Sequence, residues 1–433
     1  MNQAWSWCPL GELFEIGAGK TMSAAARNGT DKTPFLRTSN VLWDEIDLSS
    51  VDEMSIPEHE RLAKLLRTGD LLVCEGGEIG RAAIWNGEVE TMSFQNHLHR
   101  LRPILEEVEP RFYVYFLQSA FTQLGIFEGT GNKTTIPNLS RSRLANFRVP
   151  QPTLDEQQAI VAVLAKIRDA IKIHEQSIAL ALDLKRVTMR TLCTHGLRGR
   201  STKETEIGPV PESWELVTIG KVFKIEQGLS LKGNLASDGH GRPFLRTSNV
   251  YWGRIELQSV SRMRLAGATP ANKLLRRGDL LVCEGGEIGR AATWNGEIEE
   301  CLFQNHLHRL CPLDASRTHA QFVMAWLEEG FKHRKVYEGT GNRTTIPNLS
   351  RARLAEILIP HPPPNEQREI VAILNAIDRK IDLHRRKRAV LEGLFKALLH
   401  KLMTGEIRVV ELDCSALQLA HVSSLELNGT DVK

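Results

Sequence analysis

Two stretches of this chain repeat apolar residues at alternating four- and three-residue steps. Ile160, Leu164, Ile167, Ile171, His174 and Ile178 form the first series. Ile370, Leu374, Ile377, Ile381, His384, Arg388, Leu391, Phe395, Leu398 and Leu402 form the second. Such spacing is the heptad seam of a helix that buries one narrow stripe against another helix. Both stretches open after proline-rich breaks, at Val149-Pro-Gln-Pro152 and Ile359-Pro-His-Pro-Pro-Pro364, where proline stops the preceding element and pre-sets a helix start. A helix of ~40 residues is ~60 Å long, which overshoots any small domain, so the expected partner of each seam is the other. His174 and His384 are expected to form a polar layer that fixes helix register.

Between these stretches the pattern changes to short β-rich runs. Asp70 to Cys74 reads as a strand ending at the turn Gly76-Gly77, and Ala82 to Trp85 reads as another that meets Asn86-Gly87. Asn-Gly between apolar runs signals a hairpin. Residues 111–126 read as a helix, so each globular part is mixed α and β.

The runs also recur. Pro34 to Val41 returns unchanged as Pro243 to Val250, 209 positions on (243 − 34), and Gly69 to Ala83 returns as Gly278 to Ala292. Phe94 to Leu101 returns as Phe303 to Leu310, and the segment from Glu128 returns almost unchanged from Glu338. Residues 42–68 and 251–277 differ although their flanks are identical. A period near 210 is too long for a solenoid unit, and each copy can bury its own core. The fold class expected is α+β, with two tandem mixed domains. Each is followed by a long helix, and the two helices pair antiparallel with pseudo-two-fold symmetry. The boundaries are 1–150 and 201–360 for the globular domains, 151–200 and 361–410 for the helices, and 411–433 for a peripheral tail.

Composition narrows this little. Hydrophobic residues make up 42% and charged residues 25% of 433, ordinary for a globular chain. The net charge of +3 gives no global field, so a nucleic-acid surface has to come from local clustering. No run approaches the ~20 apolar residues of a membrane span, and the N-terminus lacks the pattern of a secretory signal. Seven cysteines without a CxxC pair fit reduced thiols in a cytoplasm and argue against a zinc ribbon.

Enzymatic signatures are missing. Gly17-Ala-Gly-Lys-Thr21 looks like part of a phosphate loop, but Phe14 stands where the first glycine belongs. No nucleophile elbow, HExxH, adenine-methyltransferase or nuclease constellation is present, so no catalytic residue, metal site or cofactor is expected in this chain. Three polar blocks in each copy instead suit DNA, because Arg and Asn can read base edges while Ser, Thr and Lys suit phosphates. In the first copy they are Arg37, Thr38, Ser39 and Asn40; Asn96, His97 and His99; and Lys133, Thr134 and Thr135. In the second they are Arg246, Thr247, Ser248 and Asn249; Asn305, His306 and His308; and Arg343, Thr344 and Thr345. Each block has a structural rival. Asn40 could close a turn on its own backbone, and His97 and His99, alternating on one strand face, could be a satisfied structural pair.

The order of motifs resembles the specificity subunit of type I restriction–modification systems. The resemblance rests on the tandem globule–helix plan, on Thr134-Thr-Ile-Pro-Asn-Leu139 leading to Asp155-Glu-Gln-Gln-Ala-Ile-Val161, and on the second-copy equivalents Thr344 to Leu349 and Asn365 to Val371. Ile207 to Trp214 looks like the family's entry into its second recognition domain. The resemblance implies two target recognition domains that each read half of a bipartite site on double-stranded DNA. It implies that the paired helices set the gap and dock two modification (methyltransferase) subunits, with restriction (translocase and nuclease) subunits joining the complex. S-adenosylmethionine, ATP and Mg belong to those partners, and no membrane is involved. Recognition domains of one such subunit commonly differ strongly, whereas here they are near duplicates. Two rival readings are a recognition subunit of a type IIB or IIG-like fused methyltransferase–nuclease, and a helical adaptor that never touches DNA.

Overall fold

A computed structural model describes residues 5–125, 138–230, 240–265, 271–335, 337 and 348–412. The chain divides into two compact units: residues 1–175 with 386–433, and residues 176–385.

In the first unit a four-stranded antiparallel sheet has the order Phe14–Ala18, Leu98–Pro103, Leu71–Cys74, Ala82–Ile84. Its third strand is buried on both faces. Leu71 and Val73 enter the core under the helix Pro110–Thr122, while Leu72 and Cys74 join Leu36, Val41, Trp85 and Phe94 on the other side. The strand's period of two explains why four consecutive residues are apolar yet serve two cores. The helix itself is buried without a break from Phe112 to Leu117, as befits a helix apolar on most sides.

A second sheet places Lys32–Leu36 between Asp52–Ser55, antiparallel, and Ser93–Phe94, parallel. Ser6–Pro9 pairs with Arg148–Gln151 and closes the globule end to end. The second unit repeats the plan with Phe223–Gln227, Leu307–Pro312, Leu280–Cys283 and Ala291–Thr293 in the four-stranded sheet.

The hairpin lies elsewhere than Asn86-Gly87. The turn at 75–81 joins the paired strands Leu71–Cys74 and Ala82–Ile84. Gly87 has φ +82°, and Asn86 spends its amides on Glu88. The chain then leaves the sheet and Ser93–Phe94 pairs in parallel within the other one. Asn-Gly thus marks a bend whose following strand finds a distant partner.

The long helices run Leu154–His195 and Pro364–Met403, and they pair antiparallel. In the first unit Arg168 stacks over Phe395, with 5.6 Å from guanidinium to ring centre, and Glu175 meets Arg388 at 4.0 Å. Seven steps forward on one helix match seven back on the other. In the second unit Lys185 bonds Asp378 at 2.7 Å, and Leu197 N–H, just past the helix end, donates to Glu366 at 3.3 Å, again step for step.

Ile160, Leu164 and Ile167 are buried with Phe395, Leu399, Leu402 and Met403. Ile370 and Leu374 are buried with Met189, Leu192 and Cys193. Ile381 is buried, and Ile171 and Ile377 partly so, as are His174 and His384. These cores include the globules' own residues, so the seam serves domain and partner helix together. Each helix start is fastened by a fully buried glutamine. Gln157 accepts from Glu109 N–H and donates to Glu107 O and Pro152 O, and Gln367 makes the same three bonds to His319, Arg317 and Pro362. Beyond the second helix, Ile407, Val409 and Leu412 pack on the first unit; residues 413–433 lie outside the described residues.

Candidate nucleic-acid interface

Two of the three polar blocks, 37–40 with 96–99 and 246–249 with 305–308, meet at the loop end of their globule. In the first unit, strand Lys32–Leu36 runs into the turn 37–40, where Asn40 is 4% exposed. Its Oδ1 accepts from Arg37 N–H at 2.8 Å, and its Nδ2 donates to Asp47 O and Ser50 O at 2.9 and 2.8 Å. Asn249, fully buried, closes its turn on Arg246 N–H, Glu256 O and Ser259 O. With the amide spent inside, neither asparagine offers an edge to a base. Ser39 and Ser248 are exposed on the turn, whereas Arg37, Thr38, Arg246 and Thr247 are half-buried, with Arg37 paired to Asp52 at 2.9 Å.

A second turn straps onto the first. Arg81 donates to Thr38 O at 2.7 Å and pairs with Glu78 at 3.0 Å; Arg290 donates to Thr247 O at 2.6 Å. The third turn, 95–97, is held by Gln95 N–H to Leu36 O and Asn96 N–H to Lys20 O. His97 sits exposed on this turn, before the strand begins at Leu98.

His99 is buried and its Nε2 donates to Leu139 O at 2.7 Å. His308 does the same to Leu349 O at 2.8 Å. The two histidines of each block therefore do not share a face, because His97 precedes the strand. Burial pushes the His99 and His308 imidazoles below their ordinary pKa, against the weaker pull of the carbonyl each bonds. Each keeps a buried Nδ1 without a partner among the described residues, the state of a neutral ring protonated on Nε2.

Leu139 also gives its N–H to Glu75 O, and Glu75 N–H donates to His97 O. The turns at 37–40, 75–81 and 95–97 and the residue Leu139 are thus tied into one surface. Asn96 and Asn305 are partly exposed on it, and His97 and His306 are exposed. The block Lys133, Thr134 and Thr135, with its counterpart Arg343, Thr344 and Thr345, lies outside the described residues.

The Gly17–Thr21 segment is no phosphate loop. Gly17 and Ala18 end a strand, Lys20 pairs with Glu60 at 2.6 Å, and a Cβ at Gly19 would lie 2.3 Å from Gln95 O. Close packing explains that glycine. Among the described residues, no three His, Cys, Asp or Glu side chains are grouped to hold a metal. No described helix is long and apolar enough to cross a membrane.

Sequence reasoning missed the supports: Arg81 and Arg290, Glu75 and Glu284, Gln157 and Gln367. All six lie inside the recurring motifs, so recurrence was the available signal.

A family model for the type I restriction modification DNA specificity domain matches residues 2–181 and 211–393. Among curated relatives, the putative type I restriction enzyme MjaX specificity subunit of Methanocaldococcus jannaschii is 26% identical, over 92% of this chain and 96% of its own. The type I restriction enzyme MjaVIII specificity subunit of the same organism is 28% identical over 70% of this chain and 71% of its own. Among solved structures, a chain from work on the assembly and conformational transition of the type I R-M system aligns with a TM-score of 0.59 at 19% identity, covering 94% of this chain and 99% of that one. The type I restriction–modification S subunit from M. genitalium aligns at 0.56 and 16%, covering 93% and 97%. At these identities the solved structures show the fold.

Proposed function

Because this chain belongs to the type I restriction–modification DNA specificity family, we propose that it reads a bipartite site on double-stranded DNA for a complex whose chemistry is done by other subunits. The observation that carries this is the doubled loop surface. The same three turns are tied by the same bonds in both units, and each globule is fastened to its own long helix by the same buried glutamine. A single reading surface would need neither the duplication nor the paired helices.

On this reading, residues 1–150 and 201–360 read the two halves. The helices within 151–200 and 361–410 set their separation and dock two methyltransferase subunits, to which the restriction subunits add. The partners bring S-adenosylmethionine for adenine N6 methylation, and ATP and Mg for translocation and cleavage. The chain's own part is positioning: hydroxyl, amide and backbone groups of the turns, with Arg37 and Arg246, meet phosphates and base edges. Lys133 and Arg343, with Thr134, Thr135, Thr344 and Thr345, are assigned to phosphate contact, and Asn96 and Asn305 to base reading.

Sequencing the methylated genome of cells that carry the complete operon tests the proposal. The expected result is methylated adenines in one two-part motif with a fixed spacer. Methylation that ignores sequence, or a continuous motif, refutes it. Lys133→Ala should weaken binding for all sequences and reduce its salt slope by about one, whereas Asn96→Ala should relax preference at a single position.

A further inference from the structure

Resting on the DNA-reading proposal above, we infer that the turn beginning at Glu75-Gly76, with its twin at Glu284-Gly285, is a base-reading element whose carboxylate accepts a hydrogen bond from a cytosine N4 amine. Three observations meet there.

The first is a glycine that neither its backbone angle nor any described neighbour requires. The turn holds three glycines. Gly77 has φ +76°, and Gly80 has φ +80° with a Cβ that would lie 2.4 Å from the Phe121 ring. Backbone and packing account for both. Gly76 has neither constraint: its φ is outside the left-handed region, and a Cβ there would meet no described atom within 4 Å. Gly285 is the same. A missing side chain that no described residue explains leaves room for a base or phosphate to approach the backbone closely.

The second is a carboxylate where phosphates are expected. Glu75 is tied at both backbone groups, N–H to His97 O and O from Leu139 N–H, and Glu284 likewise to His306 and Leu349. Their side chains are 20% and 12% exposed. His306 Nδ1 donates to Glu284 at 3.2 Å, and His97 lies 3.7 Å from Glu75. A fixed negative charge on a DNA-facing surface costs affinity with every phosphate nearby. It is compensated where a base presents an amine, and glutamate is the side chain that accepts from cytosine N4.

The third is retention against local divergence. Glu-Gly-Gly-Glu-Ile-Gly is identical in both copies, while 42–68 and 251–277 have drifted. His97 and His306 act as positioning residues that hold the carboxylate.

The experiment uses the full chain assembled with its modification subunits, selecting from a pool of randomised duplex DNA. Wild type should enrich a two-part motif. Glu75→Gln should lose discrimination at one G·C pair of one half only, by about tenfold or more, and Glu284→Gln at the matching pair of the other half. Gly76→Ala should melt like wild type yet lose enrichment of the same half.

Unchanged base preferences in both glutamine variants overturn the inference, as does loosening spread over both halves. A lost A·T preference would make the amine adenine's and overturn the cytosine assignment. Gly76→Ala that binds like wild type, or that melts below it, overturns the close approach. A wild-type complex that enriches no sequence sinks the DNA-reading proposal itself, and this inference with it.

Discussion

Asn40 and His99 carry the polar letters expected of DNA readers, yet both are enclosed by their own globule. Asn40→Ala strands Arg37 N–H, Asp47 O and Ser50 O, three backbone groups that the amide now satisfies. At about 1 kcal/mol or more for each stranded group, the variant should lose about 2–4 kcal/mol in chemical denaturation. Any DNA complex that still folds should keep its sequence preference; altered preference at unchanged stability would return Asn40 to the readers. His99 predicts a pH effect. Its folded pKa is depressed by burial, and a proton on Nδ1 would have no acceptor. The unfolded chain then binds the proton more readily, so stability is full above the ordinary histidine pKa of ~6.5 and is lost as pH falls below it. His308 acts in the same direction. Melting temperatures should drop between pH 7.5 and 5.5, and His99→Gln with His308→Gln should flatten that fall. An equally steep fall in the double variant would rule these rings out as the cause.

At the scale of elements, the two copies differ where a hairpin meets a helix. In the first unit the turn between Val41–Leu42 and Glu45–Ile46 places Asp44 at φ +55°, its carboxylate 2% exposed between Arg111 at 2.8 Å and Arg168 at 3.3 Å. Tyr115 donates to it at 2.8 Å. The corresponding turn of the second unit holds Gly253 at φ +66°, where no carboxylate is possible. Asp44→Ala removes the shared acceptor of Arg111, Arg168 and Tyr115. The two guanidiniums left behind are 39% and 25% exposed and regain water, so the loss is about 1–3 kcal/mol, below that of a fully buried pair. Limited proteolysis should show the first unit opening before the second; equal protection of both would show the cluster to be energetically idle. The helices themselves were legible because a heptad seam needs only spacing, and the core strands because consecutive apolar residues between turn signals have few other uses. The parallel pairing of Ser93–Phe94 with Lys32–Leu36 was not, since no local signal names a partner some sixty residues away. Nor was the direction in which Asn40 points: a side chain's type is written in the sequence, whereas its facing depends on backbone that closes only in the fold. Paired shortening tests the spacing role of the helices. Deleting 176–182 together with 381–387, the segment opposite in register, preserves the antiparallel pairing and removes about 10 Å of helix. The DNA spacer should shorten by about three base pairs, at ~3.4 Å each, in methylome sequencing. An unchanged spacer in an active variant would sink the ruler role.

For the whole molecule, duplication makes its own forecast about DNA. The turns 37–40, 75–81 and 95–97 recur with the same tying bonds in both units, so the two halves should prefer closely similar bases. If antiparallel pairing of the helices presents the two copies to DNA as equivalents, each copy should read its half on the opposite strand. The preferred site is then an interrupted palindrome or close to one, as site symmetry follows protein symmetry in dimeric repressors. Differences should concentrate where the copies diverge. Residues 58–64 form a helix bearing exposed Glu58, while the matching stretch of the second copy holds only the short turn Ala271–Lys273 among its described residues. Even there one anchor recurs: Lys64 donates to Ala18 O, and Lys273 donates to Gln227 O. The shared anchor keeps the strand ends alike and leaves the outer face free to differ. A base pair touched by that face would break the palindrome, at about 1–3 kcal/mol for each mismatch. Exchanging 42–68 for 251–277 should then convert the imperfect palindrome into a perfect one, read by selecting bound duplexes from a randomised pool. Unrelated half-sites, or two direct repeats, would show that the copies do not read DNA as equivalents.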